Sequence, residues 1–156
     1  QDYRSKMPLD LSLGYGANHG GLGVKMTGNN VVIIGLGTFD SQTLWAVGIQ
    51  YPFRLDEMHK TDNFISSSYI SASYGGIGVL TGTTWDNNNF REEKSVINGW
   101  TFLCGYLFSL GNESKIFTDF GLGYSFGNVT FFKGESFEYE DKFSAFTIDI
   151  GLGYRF

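Results

Sequence analysis

Apolar residues alternate one for one with small or polar ones through most of this chain. The closing stretch FTIDIGLGYRF is the clearest case. Phe146, Ile148, Ile150, Leu152, Tyr154 and Phe156 alternate there with Thr147, Asp149, Gly151, Gly153 and Arg155. A period of two is that of a β-strand whose two faces meet unlike surroundings. No segment carries a helical period of useful length. No run approaches the ~18 apolar residues of a spanning helix.

Further alternating segments precede it, separated by polar or Gly/Asn clusters. They are PLDLSLGYGA, GLGVKMT, VVIIGLGTF, TLWAVGIQYPF, FISSSYISASYGGIGVLTGTTW, VINGWTFLCGYLFSL and KIFTDFGLGYSF. Gly75-Gly76 in the fifth reads either as a bulge that swaps the strand's phase or as a turn, and the facing of this segment stays open. Read as a turn it would make nine strands and send the termini to opposite ends. Eight is the expectation, in one domain over residues 1–156, with 1–7 as a periplasmic lead-in. A start at Gln1 without Met reads as a chain whose signal peptide has been removed.

Two closed barrels fit such strands. A soluble ligand-carrying barrel hides its apolar face, whereas a membrane barrel turns that face to lipid and fills its lumen with small and polar groups. Glycine decides between them. Gly14, Gly23, Gly35, Gly48, Gly99, Gly105, Gly121 and Gly151 all lie on the face opposite the aromatics. A water-facing surface would carry Lys, Glu and Thr there, because interior Gly weakens a strand. A cramped eight-stranded lumen needs small side chains beside a few bulky ones. The predicted fold is therefore all-β, an eight-stranded antiparallel up-and-down transmembrane β-barrel with both termini periplasmic. Asp10, Lys25, Asp119, Asp149 and Arg155 share the inner face and are expected to form a paired network, since a buried charge is tolerable only when paired. Leu103, Leu107, Phe117 and Phe143 should plug part of the lumen, leaving no stable pore.

Aromatic residues form the expected girdles: Tyr15, Trp45, Tyr51, Phe53, Trp100, Tyr106, Phe108, Tyr124, Phe126 and Phe146. Their two belts lie on the order of 15–20 Å apart at ~3.3 Å per residue. The formal charge of −5 argues against nucleic acid, which needs clustered Lys and Arg. The one cysteine, Cys104, excludes an internal disulfide and a cysteine metal site, and serves as a small apolar residue on the lipid side.

The closing IGLGYRF, with LSLGYGAN, GGLGVKM and LWAVGIQYPF leading into ISASYGGIG, resembles the OmpX-like and OmpA membrane-domain-like family of small outer-membrane barrels. The likeness covers nearly the whole chain. It implies residence in a Gram-negative outer membrane beside lipopolysaccharide. It also implies that Tyr154 and Phe156 form the terminal signal read by the barrel-assembly machinery during insertion. The first two outer loops, near Asn18-His19 and Asp40-Ser41, are shorter than the family's pattern, so an adhesive protruding edge is not expected on that half. Larger outer loops are expected at 86–94 and 128–142.

Residues suited to chemistry are few. His59 falls in a connector placed in the periplasm. His19 could meet Asp40 and Ser41 as a base, but a solvated turn histidine is the expected reading. The acidic run Glu135, Glu138, Glu140 and Asp141 reads as a solvated loop rather than a Ca²⁺ site. No cofactor and no metal are expected. The Asn112-Glu113-Ser114 and Asn128-Val129-Thr130 sequons carry little meaning in a bacterial barrel. The expected function is a non-enzymatic outer-membrane protein acting as structural support, in surface contact, or as an accessory subunit beside other outer-membrane proteins. A lipid-modifying enzyme of the lipid A deacylase or acyltransferase type, or a small pore, is the alternative.

Overall fold

The computed structural model describes residues 9–29, 31–53, 66–86, 88–110 and 115–156. The lead-in 1–7, the connector with His59, the sequon at 112–114 and the Phe53 side chain lie outside them. Eight strands follow in order: β1 (Leu9–Gly16), β2 (Gly21–Gly28), β3 (Val32–Phe39), β4 (Gln42–Phe53), β5 (Ser66–Asp86), β6 (Asn89–Ser109), β7 (Ile116–Phe131) and β8 (Tyr139–Arg155). Each pairs antiparallel with the next, and β8 returns to β1 to close the barrel. The closing seam runs from Asp10↔Arg155 to Tyr15↔Ile150. It is clasped at its end by the Arg155 guanidinium, which donates from Nε and Nη2 to the two Asp10 oxygens at 2.7 and 2.6 Å.

The alternation sets the facing as expected. Leu11, Val24, Leu36, Val47, Phe102, Leu122 and Ile150 are exposed on the outside, while Ser12, Lys25, Ala46, Thr101, Asp119 and Asp149 are buried within. Tyr15, Trp45, Tyr51, Trp100, Tyr106, Phe108, Tyr124, Phe126 and Phe146 all project outward. The fifth segment is one strand, and its register shifts between Gly76 and Gly78. Before the shift the odd residues Tyr69, Ser71 and Ser73 are buried; after it the even residue Gly82 is. A single bulged residue, Ile77, thus swaps the faces.

The outer loops differ from the sequence-based expectation. Residues 86–94 are mostly strand, because β5 and β6 pair as far as Asp86↔Asn89. Residues 128–142 also shrink to a short connection at 132–138, since β7 and β8 pair up to Phe131↔Tyr139. The sequence reading missed this because the outward residues there turn polar while the alternation continues. β1–β4 end well below these hairpins, so one half of the barrel protrudes.

The two hairpins lean together. Ile97, Val129, Phe131 and Phe132 form a buried cluster, with Ile77, Leu80, Phe137 and Phe143 packed around it. Glu93 accepts the Phe132 amide, and Arg91 makes a two-pronged pair with Glu135 at 2.8 and 3.2 Å while lying over the Phe132 and Phe137 rings. Replacing Phe131 by Ala removes a filled core position, at a typical cost of 3–5 kcal/mol. The expected outcome is lost amide-exchange protection in 128–142 with protection at 100–108 unchanged; equal loss in both would show that the hairpins and wall open as one unit.

Candidate functional site

The lumen holds the one concentration of buried charged and hydrogen-bonding groups among the described residues. It begins at a short turn. After β1 the chain makes a single 3-10 turn, Ala17–His19, that folds into the barrel rather than over it. Positive φ values at Gly16, Gly20 and Gly21 allow this reversal. Asn18 and His19 are 0 % exposed. His19 is therefore a lumen residue and not the solvated turn histidine expected from sequence. Glycine makes the room. A Cβ on Gly14 or Gly151 would meet His19 Nε2 at 2.7 or 2.8 Å, and one on Gly35 would strike the Asn18 carbonyl.

Asp149 on β8 receives this plug. Its Oδ2 accepts the Asn18 backbone N–H at 2.9 Å, and its Oδ1 lies 2.6 Å from His19 Nδ1. Asn18 is held from the opposite wall: Ser73 donates to its Oδ1 at 2.7 Å, and its Nδ2 donates to Ser71 at 3.3 Å. Below the plug, Lys25 is bonded to Asp119 and stands 4.0 Å from Asp149. Tyr69 donates to the other Asp119 oxygen at 2.7 Å. Thr101 and Ser125 share a hydrogen bond at 2.7 Å higher up. The expected five, Asp10, Lys25, Asp119, Asp149 and Arg155, are thus paired, as two groups: Asp10–Arg155 at the rim, and Lys25–Asp119–Asp149 in the middle. Three carboxyl groups face one lysine amine, one guanidinium and one imidazole. Leu107 and Phe117 pack with Tyr69 beneath the network, and Leu103 is buried beside it, while Phe143 belongs to the upper cluster instead.

The network contains a Ser–His–Asp sequence of contacts, for Ser12 Oγ lies 3.0 Å from His19 Nε2. It is not the trio weighed from sequence. Asp40 accepts from Lys94 at 2.7 Å at the outer rim, away from His19. The His19 Nδ1 and Asp149 Oδ1 atoms lie 2.6 Å apart, and Ser12 is 2 % exposed. These contacts tie the plug to β8 and β1.

Residues that the sequence reading left out are Ser12, Asn18, Tyr69, Ser71 and Ser73. A faint signal existed, since Tyr69 falls in phase with Ser71 and Ser73 on a small-residue face. The acidic run does not converge on a common point. Glu135 serves Arg91, Glu138 accepts from Gly134 at 2.6 Å, and Asp141 accepts from the Lys142 amide.

No protein-family model, curated protein or solved structure matches this chain. Its class is accordingly that of its architecture, a small closed eight-stranded antiparallel β-barrel with a charge-filled, plugged interior.

Removing one partner from a buried charged cluster strands the others at ~3–5 kcal/mol, whereas losing a neutral hydrogen bond costs ~1 kcal/mol. Asp149→Ala should therefore destabilise the barrel by a few times more than Ser12→Ala in equilibrium urea unfolding. Equal losses would mean that Asp149 does not anchor the plug.

Proposed function

We propose that this chain is an integral outer-membrane β-barrel whose role is structural and contact-forming, not enzymatic. The observation that carries the membrane reading is a change of facing along uninterrupted strands. On β7, Ile116, Phe120, Leu122, Tyr124 and Phe126 point out; the next outward residue is Asn128, and the inward ones become Val129 and Phe131. On β6 the outward run of Trp100, Phe102, Tyr106 and Phe108 gives way to Asn98, with Ile97 inside. On β8 the run from Phe156 up to Phe146 gives way to Ser144 and Lys142, with Phe143 inside. Asn98, Asn128 and Lys142 are register partners on adjacent strands.

A strand that is greasy outside and polar inside below this row, and the reverse above it, has two solvents around it. Lipid surrounds the lower part and water the upper. The greasy runs on β7 and β8 each cover 11 residues, Ile116 to Phe126 and Phe146 to Phe156. At ~3.3 Å per residue and a tilt near ~40° that spans about 25 Å, the height of an outer-membrane apolar band. This is taller than the aromatic belts alone suggested, because the run and not the belt spacing marks the lipid.

Tyr154 and Phe156, whose rings meet edge-on at 5.0 Å, end the last strand as the assembly signal of such barrels would. Surface contact falls to the protruding hairpins. At their tip Trp85 and Phe90 pair at 5.4 Å, above the polar row, with Trp85 74 % exposed. Outer-membrane lipid and lipopolysaccharide would surround the barrel. A shallow apolar groove across the outside of β4–β8, floored by Ala72 and Cys104, leaves room for a neighbouring barrel as well. The plug and the Tyr69, Leu107 and Phe117 layer support a lumen closed to ions, and the sealed position of Ser12 supports a non-catalytic role.

The membrane reading is tested by depth. Lys at the middle of a bilayer costs ~2–4 kcal/mol in such barrels and ~0–1 kcal/mol near the interface. In lipid vesicles Leu122→Lys should therefore be clearly more destabilising than Asn128→Lys. Two small and equal effects would mean that no lipid covers Leu122. Planar bilayers holding the protein should show no unit conductance.

A further inference from the structure

Above the plug the barrel wall has a gap. β8 pairs with β1 from Ile150 to Arg155, Gly16 at the end of β1 still lies against Ile148 and Asp149, and the edge from Tyr139 to Thr147 has no partner in β1. β1 stops at Gly16, where the chain turns inward to form the plug. On the far side of the gap, β5 beyond Gly75 has no partner in β4. The notch is bounded below by the short tips of β1–β4, whose length the sequence dictates.

A cavity of about 310 Å³ lies at this notch. Its lining comes from both faces of the wall. Ala17, Leu44 and Phe143 belong to the interior, whereas Tyr15 and Phe146 belong to the outer surface. The cavity therefore runs sideways through the wall. Phe146 stands at its mouth on the unpaired edge and is 90 % exposed, far more than the other outward aromatics of the apolar band.

We propose that this cavity admits the hydrocarbon tail of a single-chain amphiphile that enters sideways from the membrane; the proposal rests on the membrane reading above. Three observations select this occupant. The lining is mainly apolar, and an apolar cavity gains little from water. Its volume sits at the lower end of the ~300–1,000 Å³ of small-molecule sites, so it suits one chain and not a two-chain phospholipid. Its mouth opens at the top of the greasy run, just below Ser144 and Lys142, where a tail can slide in while its polar head stays at the boundary. The plug forms the floor, so the tail stops above the charged network.

The test uses the whole chain refolded in phosphatidylcholine vesicles, with lauric acid carrying a diazirine at its methyl end. After illumination, peptide mapping should find label on Ala17, Leu44 or Phe143, and excess unlabelled laurate should displace it. Ala145→Trp, which places an indole in the cavity, should abolish this interior label while the protein still floats with the vesicles. Should that variant fail to fold, displacement by laurate on the unaltered chain decides alone. Label confined to Leu13, Ile150 and Leu152 on a floating protein would overturn the cavity and leave the membrane reading intact. Interior label that laurate does not displace, or that a folded Ala145→Trp retains, would overturn it too. A protein that does not float would remove both readings.

Discussion

The interior of this barrel coheres largely through its polar face, because most of the large apolar side chains of its wall point outward and only a few, such as Tyr69, Leu103, Leu107 and Phe117, are buried within. Burying charge is unfavourable unless each group finds partners, so the lumen must be filled and balanced at once. Asp149 carries most of that requirement. It accepts the Asn18 amide, neighbours His19 and faces Lys25, and so links β8 to the plug and to the Lys25–Asp119–Tyr69 group. Remove it, and the Asn18 amide loses its acceptor and Lys25 one of its two carboxylate neighbours.

Glycine has a second role in this scheme. The inner glycines do more than keep a narrow lumen open, for particular ones receive particular side chains. Gly14 and Gly151 flank His19, Gly105 lies under the Tyr69 ring, and Gly153 under Phe117. A large lumen residue is thus accommodated by a missing side chain opposite. This is how a small barrel reaches close packing without a conventional core. Above the polar row that rule ends. The protruding hairpins bury Ile97, Val129 and Phe131 against each other, so the inner face of the same strands is polar below that row and apolar above it.

Much of this was legible in the chain. The period of two located all eight strands, glycine phase chose the inner face, and the five inner charges were identified as a network before any contact was known. For Gly75-Gly76 the chain offered both a bulge and a turn, and the register, which shifts at Ile77, decided for a bulge. The protruding ends at 86–94 and 128–142 were not legible, because residues such as Arg91, Asn128 and Lys142 look like loop residues when the outward face is assumed to remain greasy. His19 was misplaced for a related reason. A polar residue among glycines reads as a turn, and its burial depends on what other strands leave vacant.

Local alternation and glycine phase therefore determined the strands, their count and which face turns inward, since both follow from the geometry of one strand and the width of one lumen. Only the closed structure decided that Ala17–His19 folds into the barrel, that Ser12, His19 and Asp149 become neighbours, and that β8 keeps an open edge above a cavity. Those outcomes depend on how eight strands stagger around a ring. They bring together residues 131 positions apart, such as Asn18 and Asp149, and no period within a single strand encodes such a distance.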